Sequence, residues 1–165
     1  MNRLTQSLPF KITLCIIVAE VLGGLGAVVT VGSLSSWYRE LQAPPGTPPN
    51  QVFGPVWSTL YAMIGCAFAL VWHRKGFGAT APLGRKRLAA FVSQAVLNLI
   101  WTPIFFGLHL TGWALITIVL LIAAIAVTIR LFHSSHRVAA WLMVPYLVWV
   151  CYATYLNAGF YFLNR

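Results

Sequence analysis

Acidic residues are almost missing. Glu20 and Glu40 are the only two in 165 residues, and charged residues of both signs make up 8% of the chain. A soluble domain carries roughly a quarter charged residues, so an ordinary cytosolic globule is excluded. Glu20 lies inside the first apolar segment and Glu40 beyond it, so they are discounted as a general acid and base pair. Cysteine is scarce and odd in number, and Cys15, Cys66 and Cys151 all lie inside apolar runs, which excludes a disulfide scaffold. There is no Gly-rich phosphate loop, no His-Glu-x-x-His, no Cys-x-x-Cys and no Ser-His-Asp set. His133 and His136 are three apart, but no third ligand is nearby in sequence, and they read as groups at a helix end. No conventional hydrolase or transferase is legible, and neither metal nor cofactor is expected.

What is present is apolar and aromatic. Hydrophobic residues make up 59%, with seven Trp, six Tyr and ten Phe, and the mean hydropathy is +0.80. That richness excludes intrinsic disorder and leaves an integral membrane protein. A hydrocarbon core of about 30 Å needs about 20 apolar residues in a helix. Five segments qualify, at about 10–32, 52–72, 88–108, 112–132 and 138–163. They are continuously apolar rather than alternating, so they read as helices and not barrel strands. The expected fold is an all-α, five-transmembrane-helix bundle forming one domain over 1–165. The first segment lacks a convincing Ala-x-Ala site and is read as a span, not a cleaved signal.

With five spans, the N-terminus and the second and fourth loops share one side. That side holds Arg3, Lys11, Arg74, Lys75, Arg85, Lys86, Arg87, Arg130 and Arg137, nine of the eleven cations; Arg39 and Arg165 lie opposite. The positive-inside rule puts the richer side in the cytoplasm and the C-terminus across the membrane, the bacterial inner membrane being expected for helical spans. The net charge of +9 thus reflects topology and contact with anionic lipid. No folded basic surface is left for nucleic acid.

Several groups inside the spans are ones that lipid would not tolerate. Glu20 sits at mid-depth beside Ala19, Gly23 and Ala27, small residues spaced for close helix approach. It is either a ligand or proton contact or a protonated carboxyl bonded between helices. Phe53, Trp57 and Tyr61 form an aromatic stripe at i, i+4, i+8. In the third span Gln94 and Asn98 continue into Trp101 and Phe105, and in the fifth Tyr146, Trp149, Ala153, Leu156 and Asn157 share a face. These faces fit either helix packing or a central aromatic cavity, and the amides either interhelical bonds or ligand contacts. Between the first two spans, Pro44, Pro45, Pro48 and Pro49 fall within six residues, a stiff stretch that is either a lid or a plain connector.

At this point the residues resemble the translocator protein family, also called the tryptophan-rich sensory protein or peripheral benzodiazepine receptor family. One block runs from Trp37-Tyr38 through Pro44-Pro45 and Pro48-Pro49 to Val52-Phe53-Gly54-Pro55-Val56-Trp57 and Leu60 to Gly65. A second is Gln94 to Trp101 with Phe105-Phe106, and a third runs from Pro145-Tyr146 through Trp149 and Ala153 to Asn157. The resemblance implies five helices, a homodimer and a pocket for porphyrins or other hydrophobic small molecules. It implies a membrane receptor or sensor for tetrapyrroles such as protoporphyrin IX, with light-driven oxidative breakdown of that porphyrin or porphyrin or sterol transport as alternatives. By motif position Trp57 and Trp149 match the tryptophans implicated in breakdown. Tyr38, Pro48, Phe53, Trp57, Tyr61, Gln94, Asn98, Trp101, Phe105, Tyr146, Trp149 and Ala153 match the pocket. Where the family often has Lys-Pro-Pro-Trp this chain has Ala43-Pro44-Pro45-Gly46, leaving Arg39 as the cation of that loop to meet a propionate. The looser sterol pattern of Leu156, Tyr161 and Arg165 is formally met.

Overall fold

A computed structural model describes residues 7–34, 37–74, 76–77 and 82–165; Arg3 and Lys75 lie outside them, as does the side chain of Ala27. Helix α1 covers Leu8–Leu34, and a short helix α2 covers Trp37–Glu40. Then come α3 (Asn50–Arg74), α4 (Pro82–Thr102), a π turn (Pro103–Gly107), α5 (Thr111–His133), α6 (Arg137–Leu142) and α7 (Val144–Leu163). No strand occurs among the described residues. Five stretches are apolar and long enough to cross a membrane: Leu8–Gly26, Asn50–Arg74, Pro82–Gly107, Thr111–His133 and Arg137–Leu163. Their outward faces carry exposed Ile17, Val21, Val92, Val119 and Val148, an apolar surface suited to lipid. The protein is an integral, multi-pass membrane protein.

Proline shapes three of these helices. Pro48 and Pro49 keep the chain extended until Asn50 opens α3. Pro103 removes a backbone donor, and the chain answers with wider i→i−5 pairing in which the Leu108 N–H reaches the Pro103 carbonyl at 2.8 Å. Pro145, at the start of α7, marks the break in the fifth span, where the Met143 N–H turns back tightly onto the Ala140 carbonyl (3.1 Å).

Lipid tails are as apolar as the helices, so close packing and interhelical bonds hold the bundle. Gly65 lets α1 lie directly on α3: a Cβ there would stand 2.7 Å from the Cys15 carbonyl oxygen and 2.8 Å from the Ile16 Cα. One end of the bundle, at the α3–α4 and α5–α6 connections, is filled. Phe68 stacks on Phe77 at 4.4 Å and Phe91 on Phe132 at 6.0 Å. Buried Arg87 donates from Nε to the Leu131 carbonyl (3.3 Å), at the C-terminal end of α5 where a cation is favoured.

At the opposite end the proline-rich connection is bound to α7. Pro44, Pro45, Gly46 and Thr47 form a turn closed by the Thr47 N–H on the Pro44 carbonyl (3.3 Å), with Gly46 at φ +82°. Tyr152 donates its hydroxyl to the Gly46 carbonyl (2.5 Å) and Tyr155 to that of Pro45 (2.8 Å). Pro44 packs where Gly159 has no side chain. Asn164 completes the attachment by pairing with both backbone groups of Gln42 (2.8 and 3.0 Å).

Candidate functional site

Next to that attached connection lies a cavity of about 450 Å³, within the range of small-molecule sites. Its wall on α1 is nearly bare, made of Gly23, Gly24, Gly26 and Thr30 with Glu20 below them. Opposite stand Phe53, Gly54, Trp57, Ser58 and Tyr61 of α3, and Trp101, Thr102, Phe105 and Phe106 around the π turn. Helix α7 contributes Trp149, Ala153, Leu156, Asn157 and Phe160, and Tyr38 closes the end from α2. Small residues on one side and rings on the other leave an aromatic-walled space.

The rings fix one another. Trp57 stacks on Tyr61 at 5.3 Å and meets Tyr146 edge-on at 6.2 Å. Trp101 stacks on Phe105 at 5.3 Å, and Phe53 meets Trp149 edge-on at 6.0 Å. Tyr38 packs on Phe160 at 5.0 Å. Burial pushes the Tyr38 phenol up to about 12, with Tyr152 adding to the rise, so it stays a neutral hydroxyl at physiological pH.

Polar groups around the rings are mostly committed. Trp101 donates its indole N–H to Asn157 Oδ1 (3.1 Å), and Asn157 Nδ2 donates to the Thr111 carbonyl (2.9 Å). Tyr61 donates to Asn98 Oδ1 (3.1 Å), and Asn98 Nδ2 donates to the Tyr146 hydroxyl (3.1 Å), joining α3, α4 and α7. Ser58 donates to Glu20 Oε2 at 2.9 Å. Trp149 differs: its indole nitrogen is buried and has no hydrogen-bond partner among the described residues, although the ring lines the cavity. A buried donor without an acceptor is costly, and a ligand oxygen or ring nitrogen would relieve it.

Of the residues singled out in the sequence, Tyr38, Phe53, Trp57, Tyr61, Trp101, Phe105, Trp149 and Ala153 line this one cavity. Gln94, Asn98 and Tyr146 face a separate cavity in the other half of the bundle, which shares Tyr61 and Gly23 with the first. Arg39 is exposed next to Tyr38 on α2, and Pro48 lines neither space. The aromatic stripes did not reveal the α1 wall, Thr102, Phe106 or Phe160. Its only signal is the run Gly23, Gly24, Gly26, of which Gly23, spaced with Ala19 and Ala27, reads as a helix contact.

A sequence profile described as the TspO/MBR family matches residues 14–163. The chain belongs to the TspO/MBR family. It is 39% identical over 140 residues to the translocator protein of Bos taurus, covering 82% of this chain and 80% of that one. It is 35% identical over 155 residues to the tryptophan-rich protein TspO of Archaeoglobus fulgidus, covering 93% and 97%. A third relative, the tryptophan-rich sensory protein of Cereibacter sphaeroides, is 34% identical over 139 residues, covering 82% and 84%. The TspO/MBR profile begins inside α1 and ends at the last residue of α7, so it takes in every wall of the cavity.

Proposed function

We propose that this TspO/MBR protein is a membrane receptor or sensor that binds a tetrapyrrole, such as protoporphyrin IX, in the cavity between α1, α3, α4 and α7. The observation that carries the reading is the unpartnered, buried indole N–H of Trp149 in a space otherwise walled by rings. A porphyrin is a flat apolar macrocycle with ring nitrogens and two carboxylates. Trp57, Tyr61, Trp101 and Phe105 supply stacking faces, and Trp149 supplies a donor. Arg39, exposed beside Tyr38 at the cavity's end, is the cation for a propionate. The sensory name carried by the Cereibacter sphaeroides relative agrees with a receptor role. The Pro44–Pro49 connection acts as the lid, and its attachment to α7 supports that role. The excess of cations at the filled end argues for that end in the cytoplasm, and for a bacterial inner membrane; the working unit is a homodimer.

Light-dependent breakdown of the bound porphyrin is the second reading, favoured by two indoles that line the cavity, Trp57 from α3 and Trp149 from α7. In that case an excited porphyrin and oxygen supply the chemistry, and the indoles are the redox-active side chains. Titration of protoporphyrin IX into the detergent-purified chain tests both. Saturable Trp quenching with stable porphyrin absorbance under light supports the receptor. Loss of absorbance in light but not in the dark, abolished by Trp57→Phe with Trp149→Phe, supports the enzyme. Absence of saturable quenching refutes both.

A further inference from the structure

The other cavity, of about 310 Å³, lies in the filled half of the bundle and is not used by the porphyrin reading. Its α1 rim, Leu14, Val18 and Leu22, is exposed, while Ile64, Gln94 and Tyr146 at its back are buried. It is therefore a groove that opens sideways, where a lipid chain would enter. Two polar groups stand out against these apolar walls. Gln94 is 1% exposed and lines the groove, yet its side-chain amide has no hydrogen-bond partner among the described residues. One helical turn before Leu14 and Cys15, Lys11 is 8% exposed, its Nζ 4.9 Å from the ring centroid of Trp72, which also lines the groove. The chain's only acids cannot neutralise it, because Glu20 lies nine residues along α1 and is bonded to Ser58, and Glu40 is beyond the far end of that helix.

We propose that this groove is a second ligand site, for a long-chain carboxylate with an oxygen function part-way along the chain. The carboxylate sits at the Lys11 ammonium, where the local charge is uncompensated and a compact anion forms a charge-assisted hydrogen bond. The chain lies along Val18, Ala95 and Leu99, and its mid-chain hydroxyl or keto group meets the Gln94 amide, one turn deeper along α4 than Phe91. Tyr61 and Gly23 separate the two sites, so both fit one molecule at once.

The test uses the full chain in non-ionic detergent, with 9,10-dibromostearate as a quencher of Trp72 and 12-hydroxystearate or stearate as competitors. Saturable quenching that disappears in Trp72→Phe, with 12-hydroxystearate the stronger competitor, is expected. Lys11→Gln should weaken binding about tenfold, the loss of one charge-assisted contact, while Lys11→Arg retains it. Gln94→Leu should abolish the preference for the hydroxylated acid, and Ala95→Phe should fill the groove and remove binding. Protoporphyrin affinity in Lys11→Gln and Ala95→Phe should match the parent's, which separates this site from the first. Equal affinity in Lys11→Gln and the parent, with both folded, overturns the carboxylate assignment. Quenching that rises linearly without saturation, or that depends only on protein concentration, means bulk lipid contact or a second copy in the groove and overturns the site.

Discussion

Gly65→Ala adds one methyl group where α1 and α3 touch. The new Cβ would stand 2.7 Å from the Cys15 carbonyl oxygen and 2.8 Å from both the Cys15 carbonyl carbon and the Ile16 Cα. All three are backbone atoms, so no side-chain rotation relieves the contact. Ordinary contact begins at 3.4 Å, so α1 has to retreat by 0.7 Å (3.4 − 2.7) over this stretch. Overpacking of this kind costs about 1–3 kcal/mol, set against about 1 kcal/mol of helix propensity that Ala regains over Gly. Gly24→Ala is the matched control: it brings the same propensity change, and nothing lies within 4 Å of its Cβ. The difference between the two variants is therefore the steric cost alone, equivalent to roughly 5- to 150-fold in a local opening equilibrium. The buried Cys15 thiol, on the residue whose carbonyl is struck, reports that opening. In a Cys66→Ser, Cys151→Ser background, a thiol-reactive dye should label Cys15 faster in Gly65→Ala than in Gly24→Ala by a factor in that range. Equal labelling rates would refute the claim that α1 is seated on Gly65.

Trp149→Phe should weaken porphyrin binding while leaving the unfolding midpoint near the parent's, because no hydrogen bond is lost with its indole. Trp101→Phe should instead lower stability by roughly 0.6–1.7 kcal/mol, the range for one interhelical bond, since its N–H holds Asn157; a larger loss in Trp149→Phe would reverse these roles. Tyr61→Phe and Tyr146→Phe both remove a hydroxyl bonded to Asn98, and a double-mutant cycle should give a coupling of roughly 0.5 kcal/mol or more, absent in an Asn98→Leu background. The raised Tyr38 phenol favours its neutral form in the fold. Stability linked to it is therefore full below the ordinary pKa near 10 and is lost as pH climbs towards about 12. Denaturation followed across that window should lose less stability in Tyr38→Phe, and an unchanged slope would show that the phenol is not buried.

The five spans were legible because continuous apolarity over about 20 residues has few other causes. The aromatic cavity was partly legible for a related reason. Phe53, Trp57 and Tyr61, or Trp101 and Phe105, repeat every four residues and must share a face, so one strip of each wall follows from helical period alone. Period does not say which end of a bundle a face reaches. Asn98 continues the Trp101 and Phe105 face, yet it lies one turn towards the filled half and serves the neighbouring groove with Gln94. The π turn was hidden in the same way. Pro103 marks a disturbed helix, but whether the chain kinks, frays or widens depends on which neighbours satisfy the freed carbonyl groups. The α1 wall was the hardest to see, since a glycine is equally the mark of a close helix contact and of a space left open. Gly65 and Gly24 illustrate the two outcomes, one against backbone and one facing nothing.

That second outcome explains why an aromatic-rich bundle has a cavity at all. Seven tryptophans and ten phenylalanines would ordinarily fill the space between helices. Here each wall gives something up at the same level: α1 its side chains at Gly23, Gly24 and Gly26, α3 at Gly54, and α7 bulk at Ala153. Helix α4 gives up its regular hydrogen bonding in the π turn that carries Phe105 and Phe106. In a bundle held by packing and interhelical bonds, an empty space of this size forfeits the dispersion contacts that would otherwise join the helices. The hydrogen bonds through Asn98 and Asn157, and those from Tyr152 and Tyr155 to the proline-rich turn, lie on its margins and fix the walls relative to one another. A planar ligand would restore the missing contacts to several helices at once, so binding and bundle stability are coupled by mass action. The cavity and the bonds around it thus make one arrangement, a space with bonded margins that the proposed ligand would stabilise by filling.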